Sequence, residues 1–232
     1  MSIPIIFVGC GNFALQRLQV LIDGSQFTPV ACVDIDIEKA QESLESLQGN
    51  IPKGLTDRVY TTISEAKEKH DAEVCFIFAV AKAHSKLVIE SLELGMHTFC
   101  VKVIACNQEE FKDIMKVHHQ NPELMLVQGF NNQWNEAATK MREWLQSDNG
   151  IGEMLGGVCI CWGRQNMKTD PPQTDITTEG MFFNALACHQ LSQLVAAKGL
   201  PKYVTAYIQD RKEPELDFRG VFGTSGGQCI FE

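Results

Sequence analysis

Two glycines, at positions 9 and 11, constrain this chain more than any other feature, because of what stands on either side of them. Ile3-Pro4-Ile5-Ile6-Phe7-Val8 is continuously apolar and runs straight into Gly9-Cys10-Gly11-Asn12-Phe13-Ala14. Pro29-Val30-Ala31-Cys32-Val33 then ends a second apolar run on a carboxylate, Asp34. The order is strand, glycine-rich turn, helix, strand, acid, the pattern of a βαβ unit with parallel strands.

Each of these residues has a physical task if the ligand is a dinucleotide. Gly9 permits the tight turn, Gly11 lets a pyrophosphate approach bare backbone, and the small Ala14 lets the helix pack close to the strand. N–H groups at the start of that helix, at Asn12 and Phe13, then face the phosphates. Asp34, 23 residues after Gly11, is placed to accept hydrogen bonds from an adenosine ribose. Its charge would repel the 2′-phosphate of NADP, so NAD is the expected cofactor.

Composition narrows the partners. The 232 residues carry a net charge of −9 with no run of Lys or Arg, which excludes a basic footprint for nucleic acid or for an anionic membrane surface. A small molecule is the expected partner. The nine cysteines are dispersed, odd in number and free of any C-x-x-C pair, so reduced thiols in a cytoplasmic protein and no metal site are expected. Cys32, Cys75 and Cys100 lie in apolar runs and read as small buried hydrophobes, while Cys159 and Cys161 would share one face of a strand. The first apolar stretch has no cationic lead and stops at Gly9, unlike a signal peptide, and no run approaches the ~18 residues of a membrane span.

Alternation of helix and strand continues past Asp34. Helices are expected at 37–48, 63–70, Ala83–Leu94 and Gln108–His118, with strands at Val59–Thr61, Val74–Val80, His97–Val101 and Leu124–Val127. Six strands alternating with helices specify a doubly wound parallel α/β sheet over residues 1–128. Residues 129–232 read as an α+β domain with a mixed or antiparallel sheet: helices at Glu136–Gln146 and 180–197, and strands at Met154–Trp162, Tyr203–Gln209, Phe218–Phe222 and Gln228–Phe231. This second domain is expected to hold the substrate and to mediate assembly, and to be incomplete. Trp134, Trp144 and Trp162 are expected in the core or the substrate wall, and His118 and His119 end a helix with no function assigned.

With these landmarks in order, the chain resembles the glucose–fructose oxidoreductase/inositol dehydrogenase (Gfo/Idh/MocA) family along essentially its whole length. Gly9–Ala14 is similar to the family's nucleotide loop, Ala79-Val80-Ala81-Lys82-Ala83-His84 stands in the place of its T-P-x-x-x-H segment, and Gly95–Val103 in that of G-K-H-V-x-x-E-K-P. Gln128–Asn131 and the turn Gly150–Glu153 also match, and Gly180 with His189 sits where the family has G-G-x-x-x-D-x-x-x-H-x-x-D. The resemblance implies hydride transfer between nicotinamide and a sugar, cyclitol or related alcohol, with Lys102 and His189 as catalytic residues. It also implies that Ala79, Val80, His84 and Lys102 line the cofactor.

Departures from the family pattern open a second reading. Val101 replaces its Glu and Val103 its Pro, Ala79-Val80 replaces Thr-Pro, and Ala185 and Ser192 stand where the later helix has its two acids, with Asn184 one place off. A histidine without an orienting acid is a weaker base, by orders of magnitude in serine proteases. The alternative is therefore a non-catalytic nucleotide-binding member acting as a sensor or interaction protein. The segment Gln228–Phe231 is expected to form an exposed sheet edge, pointing to a shortened chain or to a homo-oligomer that covers it.

Overall fold

A computed structural model describes residues 2–49, 51–147, 150, 156–159, 187–210, 216–224 and 227–231. It divides into two compact units, Met1–Gly129 and Phe130–Glu232.

In the first unit six strands form one parallel sheet: β1 (Ile3–Val8), β2 (Phe27–Val33), β3 (Val59–Tyr60), β4 (Val74–Ile77), β5 (His97–Val101) and β6 (Leu126–Gly129), in the order β3-β2-β1-β4-β5-β6. The helices are α1 (Asn12–Gly24), α2 (Ile37–Glu45), α3 (Ile63–Lys69), α4 (Ala81–Glu93) and α5 (Gln108–Gln120). Alternate residues of the central strands feed two separate cores. Ile5, Phe7, Cys32 and Phe76 pack with Leu15, Leu18 and Ile22 of α1 and Leu44 of α2. Ile6, Val8, Val33, Cys75, Ile77 and Cys100 pack with Ile63 of α3, Val88 and Leu92 of α4, and Ile114 of α5. A sheet covered on both faces needs strands without polar alternation, which is why these runs are continuously apolar. The doubly wound α/β class expected from the sequence is therefore the one observed.

Local departures have local causes. Pro29 has no N–H to give to a ladder, and β2 slips by one residue beside it, where Ile5 pairs with Pro29 but Ile6 with Ala31. Helix α4 starts at Ala81, two residues before the expected Ala83, and the chain leaves its end through Gly95 at φ +74°. Strand β6 begins at Leu126 rather than Leu124, because Leu124 is held in a turn by its N–H to the Asn121 carbonyl and by His118, whose Nε2 donates to the Leu124 carbonyl at 3.0 Å.

In the second unit a short 3-10 helix (Asn131–Trp134) leads through Asn135, which caps the next helix by accepting from the Ala138 N–H, into α6 (Glu136–Gln146). Helix α7 (Cys188–Lys198) packs on both. Strands β7 (Gly156–Cys159), β8 (Tyr203–Asp210), β9 (Leu216–Thr224) and β10 (Gly227–Phe231) form a mixed sheet in the order β7-β10-β9-β8. This corrects the expected open edge at Gln228–Phe231. The strand is internal, antiparallel to β9 on one side and parallel to β7 on the other. The hairpin partner is adjacent in sequence, whereas the parallel partner lies some 70 residues upstream and leaves no local signal. Trp134 and Trp144 are exposed rather than in the core; the Arg142 guanidinium lies over the Trp134 ring at 5.5 Å. Trp162 and Cys161 fall outside the described residues, as do the side chain of Cys159 and the loop at 164–178.

Candidate nucleotide-binding and catalytic site

The strand order reverses direction between β1 and β4, which makes the carboxyl edge of those strands the crevice where such sheets take ligands. The glycine turn lies at that edge and is stitched to both neighbours. The Gly9 N–H donates to the Val33 carbonyl at 2.8 Å, the Phe78 N–H to the Val8 carbonyl at 2.8 Å, and the Cys10 N–H to Asp34 Oδ2 at 2.7 Å.

The two glycines answer different demands. Gly9 sits at φ +93°, and a Cβ there would come within 2.8 Å of the Phe78 carbonyl oxygen, so the fold itself requires glycine. Gly11 has an ordinary φ of −70°, and a Cβ on it would meet no protein atom within 4 Å. Its missing side chain leaves open space at the mouth of the turn, the cradle a bound pyrophosphate needs. Gly11 is also the N-cap of α1 and offers no side-chain bond to the helix's first N–H groups. By contrast α2, α3 and α5 are capped by the side chains of Asp36, Thr62 and Asn107. Of the helices of the first unit, α1 and α4 lack such a cap, and both begin at the carboxyl edge of the sheet. The residues present therefore fit a dinucleotide phosphate.

Around the turn, Asn12 and Phe13 are exposed and Ala14 is buried. The Phe13 ring lies under the Arg17 guanidinium at 4.6 Å and is tilted against Phe78 at 6.3 Å. Asp34 is half-buried; Oδ1 accepts from the Asp36 N–H at 3.1 Å, and with Cys10 on Oδ2 the carboxylate keeps acceptor capacity on each oxygen. Ile35, beside it, is 95% exposed, an apolar side chain bare next to an acid. Sequence reasoning passed over Ile35, because periodicity identifies buried apolar residues and carries no signal for one left in solvent.

Ala79 and Val80 link β4 to α4 at the same edge, Val80 exposed as the N-cap of that helix. Lys102 follows directly on β5 and is half-buried, and the Lys102–Val103 peptide bond is cis. His84, in the first turn of α4, is 1% exposed, with Nδ1 2.6 Å from the Val103 carbonyl oxygen and Nε2 2.8 Å from that of Ala79. Thus Gly9, Gly11, Asn12, Phe13, Ala14, Asp34, Ala79, Val80, His84 and Lys102 all belong to one edge of one unit. His189 belongs to the second unit, where it is half-buried near the start of α7 and its carbonyl accepts from Ser192 Oγ at 2.7 Å. Gly180, Asn184 and Ala185 lie outside the described residues.

Thiols beneath the edge are not poised to react. Cys32, Cys75 and Cys100 are fully buried and free. Burial pushes the Cys75 thiol up to about 12 and raises Cys100 as well. The neighbouring Cys10 side chain, then burial, holds Cys32 well above its ordinary value. Among the described residues no group of three or more His, Cys, Asp or Glu could hold a metal ion, and no helix is long and apolar enough to cross a membrane.

Comparison with known proteins agrees with this geometry. The inositol 2-dehydrogenase/D-chiro-inositol 3-dehydrogenase of Lactiplantibacillus plantarum is 26% identical over 175 residues, which are 75% of this chain and 46% of that protein. An uncharacterized oxidoreductase of Schizosaccharomyces pombe is 23% identical over 210 residues, 85% of this chain and 52% of the relative. The chain thus spans about half the length of the curated relatives it matches. Among solved structures, a dehydrogenase from Chromobacterium violaceum superposes with a TM-score of 0.82 at 20% identity, covering 100% of this chain and 65% of that one. The myo-inositol 2-dehydrogenase of Lactobacillus plantarum gives 0.77 at 17% identity, covering 100% and 69%. These likenesses show the fold. The family model for an oxidoreductase family with an NAD-binding Rossmann fold matches residues 3–128, more than half of the sequence, and the chain belongs to that family, the Gfo/Idh/MocA oxidoreductases.

Proposed function

We propose that the chain is an NAD-dependent oxidoreductase acting on the CH–OH group of a sugar, cyclitol or related alcohol. The observation that carries the cofactor half is Gly11: a position with no steric need for glycine, open above the uncapped start of α1 and beside Asp34. Asp34 would accept from the adenosine ribose and disfavour a 2′-phosphate, so NAD is preferred to NADP. Ile35 gives the adenine ring an apolar shelf on the same side. When bound, NAD supplies the hydride carrier.

The alcohol half rests on Lys102 and on His189. Lys102 follows the strand β5 at the ligand-binding edge and would donate to the substrate oxygen, holding it as charge develops there. His189 would take the hydroxyl proton in one direction and return it in the other. The inositol dehydrogenases among the relatives favour a polyol as the substrate class. Titration with NADH and NADPH, followed by nicotinamide fluorescence, tests the cofactor reading. A cyclitol and sugar panel then tests turnover, where Lys102→Ala that kept full activity would refute its catalytic role.

A second reading has its own support. Ser192, at the place of a family acid, spends its hydroxyl on the His189 carbonyl, so no carboxylate stands three residues beyond the histidine. A nucleotide-binding member without turnover would bind NADH and fail with every alcohol tested. If the protein assembles through its second sheet, the edges among the described strands are β7 and β8, and the sheet face is the other surface.

A further inference from the structure

His84 is the one histidine of the first unit that is both buried and bonded at each ring nitrogen to a different loop. Its partners are not neighbours in sequence. Ala79 follows β4 and precedes α4, while Val103 follows Lys102 beyond β5. Both partners are carbonyl oxygens, which only accept. The ring donates to one of them as a neutral imidazole and to both when each nitrogen carries a proton. The contact with the Val103 carbonyl is buried and that with the Ala79 carbonyl part-buried, so one ring lies against both loops.

We propose that His84 is a positioning residue for Lys102, joining the backbones after β4 and β5 so that the lysine leaves the sheet edge in one fixed place. Lys102 stands between two anchored residues. On one side Val101 is paired in register with Gly129 of β6; on the other Val103 is buried, its carbonyl directed at His84 Nδ1, with Ile104 buried behind it. Burial of Val103 and Ile104 sets the depth of the segment, and the bond to His84 sets the orientation of its peptide plane. The same ring fixes Ala79, so the two loops that flank the inner end of the crevice move as one piece. Position 84 accordingly needs a rigid polar ring with one nitrogen within hydrogen-bond distance of each loop's carbonyl, which a leucine cannot replace and an amide replaces in part.

This inference rests on the reading of Lys102 as a residue of the nicotinamide side, and the test separates the two. NADH and ADP-ribose, which lacks the nicotinamide, are titrated against the full chain, its His84→Leu variant and its His84→Gln variant, with melting temperatures in parallel. Hydrogen exchange of the peptide spanning residues 101–104 is followed without any ligand. The expected result for His84→Leu is faster exchange at 101–104 and NADH binding weakened about tenfold, with ADP-ribose within about twofold of the parent. His84→Gln should recover part of both effects, and it carries the comparison alone if His84→Leu does not fold. Unchanged exchange, or NADH and ADP-ribose affinities that fall together, would overturn the positioning role. Faster exchange in His84→Leu combined with a parent chain that binds neither nucleotide would defeat the NAD reading and leave His84 a purely structural clip, refuting the proposal as stated.

Discussion

The main-chain N–H of Cys10 donates to Oδ2 of Asp34 across 2.7 Å, so the residue between the two glycines is tied to the acid that ends β2. The carboxylate therefore shapes the turn as well as facing the crevice. Asp34→Asn keeps an acceptor for one of its two backbone partners and removes the charge. The ratio of NADPH to NADH affinity should rise about tenfold, measured by paired fluorescence titrations. Asp34→Ala should in addition lower stability by about 1–2 kcal/mol through the orphaned N–H groups of Cys10 and Asp36.

Substituting the two glycines should separate folding from binding. Gly9→Ala forces a Cβ against the Phe78 carbonyl at a positive φ and should cost about 1–3 kcal/mol in chemical denaturation. Gly11→Ala should leave the denaturation midpoint nearly unchanged while NADH binding falls at least about tenfold. A Gly11→Ala protein that binds NADH normally would remove the main support for the phosphate site.

Ile35 offers a third contrast. At 95% exposure it contributes little to the fold, and Ile35→Asp should melt within a degree or two of the parent. Its NADH affinity should fall several-fold, from the lost apolar shelf and from a second carboxylate beside the adenosine. ADP-ribose should suffer equally, since the effect lies at the adenine end.

The buried thiols give the stability a pH dependence of known sign. Cys75 holds its proton up to about 12 in the folded chain against an ordinary 9.0, so between those values the unfolded chain binds fewer protons than the folded one. Stability from this group is complete below pH 9 and declines as the pH rises toward 12. Urea melts across that range should show a flatter alkaline decline for Cys75→Ala than for the parent, although the variant starts from a lower stability because of the cavity.

What could be read from the chain beforehand follows from the range of the interactions concerned. The six strands and five helices of the first unit rest on periodicity and caps a few residues apart, and the turn chemistry of Gly9 is local. Element ends were less legible, as at Leu124, where a bond from His118 overrides an apolar run. The neighbour of β10 was missed because parallel pairing across some 70 residues has no signature in either strand. Asp34 was legible as an acid at a strand end, yet its bond to Cys10 was not. His84 was legible only as a family position; its two carbonyl partners come from loops that the sheet order brings together.

The pairing of β10 with β7 has a consequence for how the protein is made. Every strand of the first sheet has left the ribosome's active centre by Gly129, so that unit can close its two cores while the rest is still being synthesised. Strands β7 and β9 gain their shared neighbour only when Phe231 has been added, about 100 residues and of the order of ten seconds later. From the addition of Cys159 to that of Phe231, some 70 residues, β7 is a nascent strand without its parallel partner. It is the segment for which an early-binding chaperone would compete.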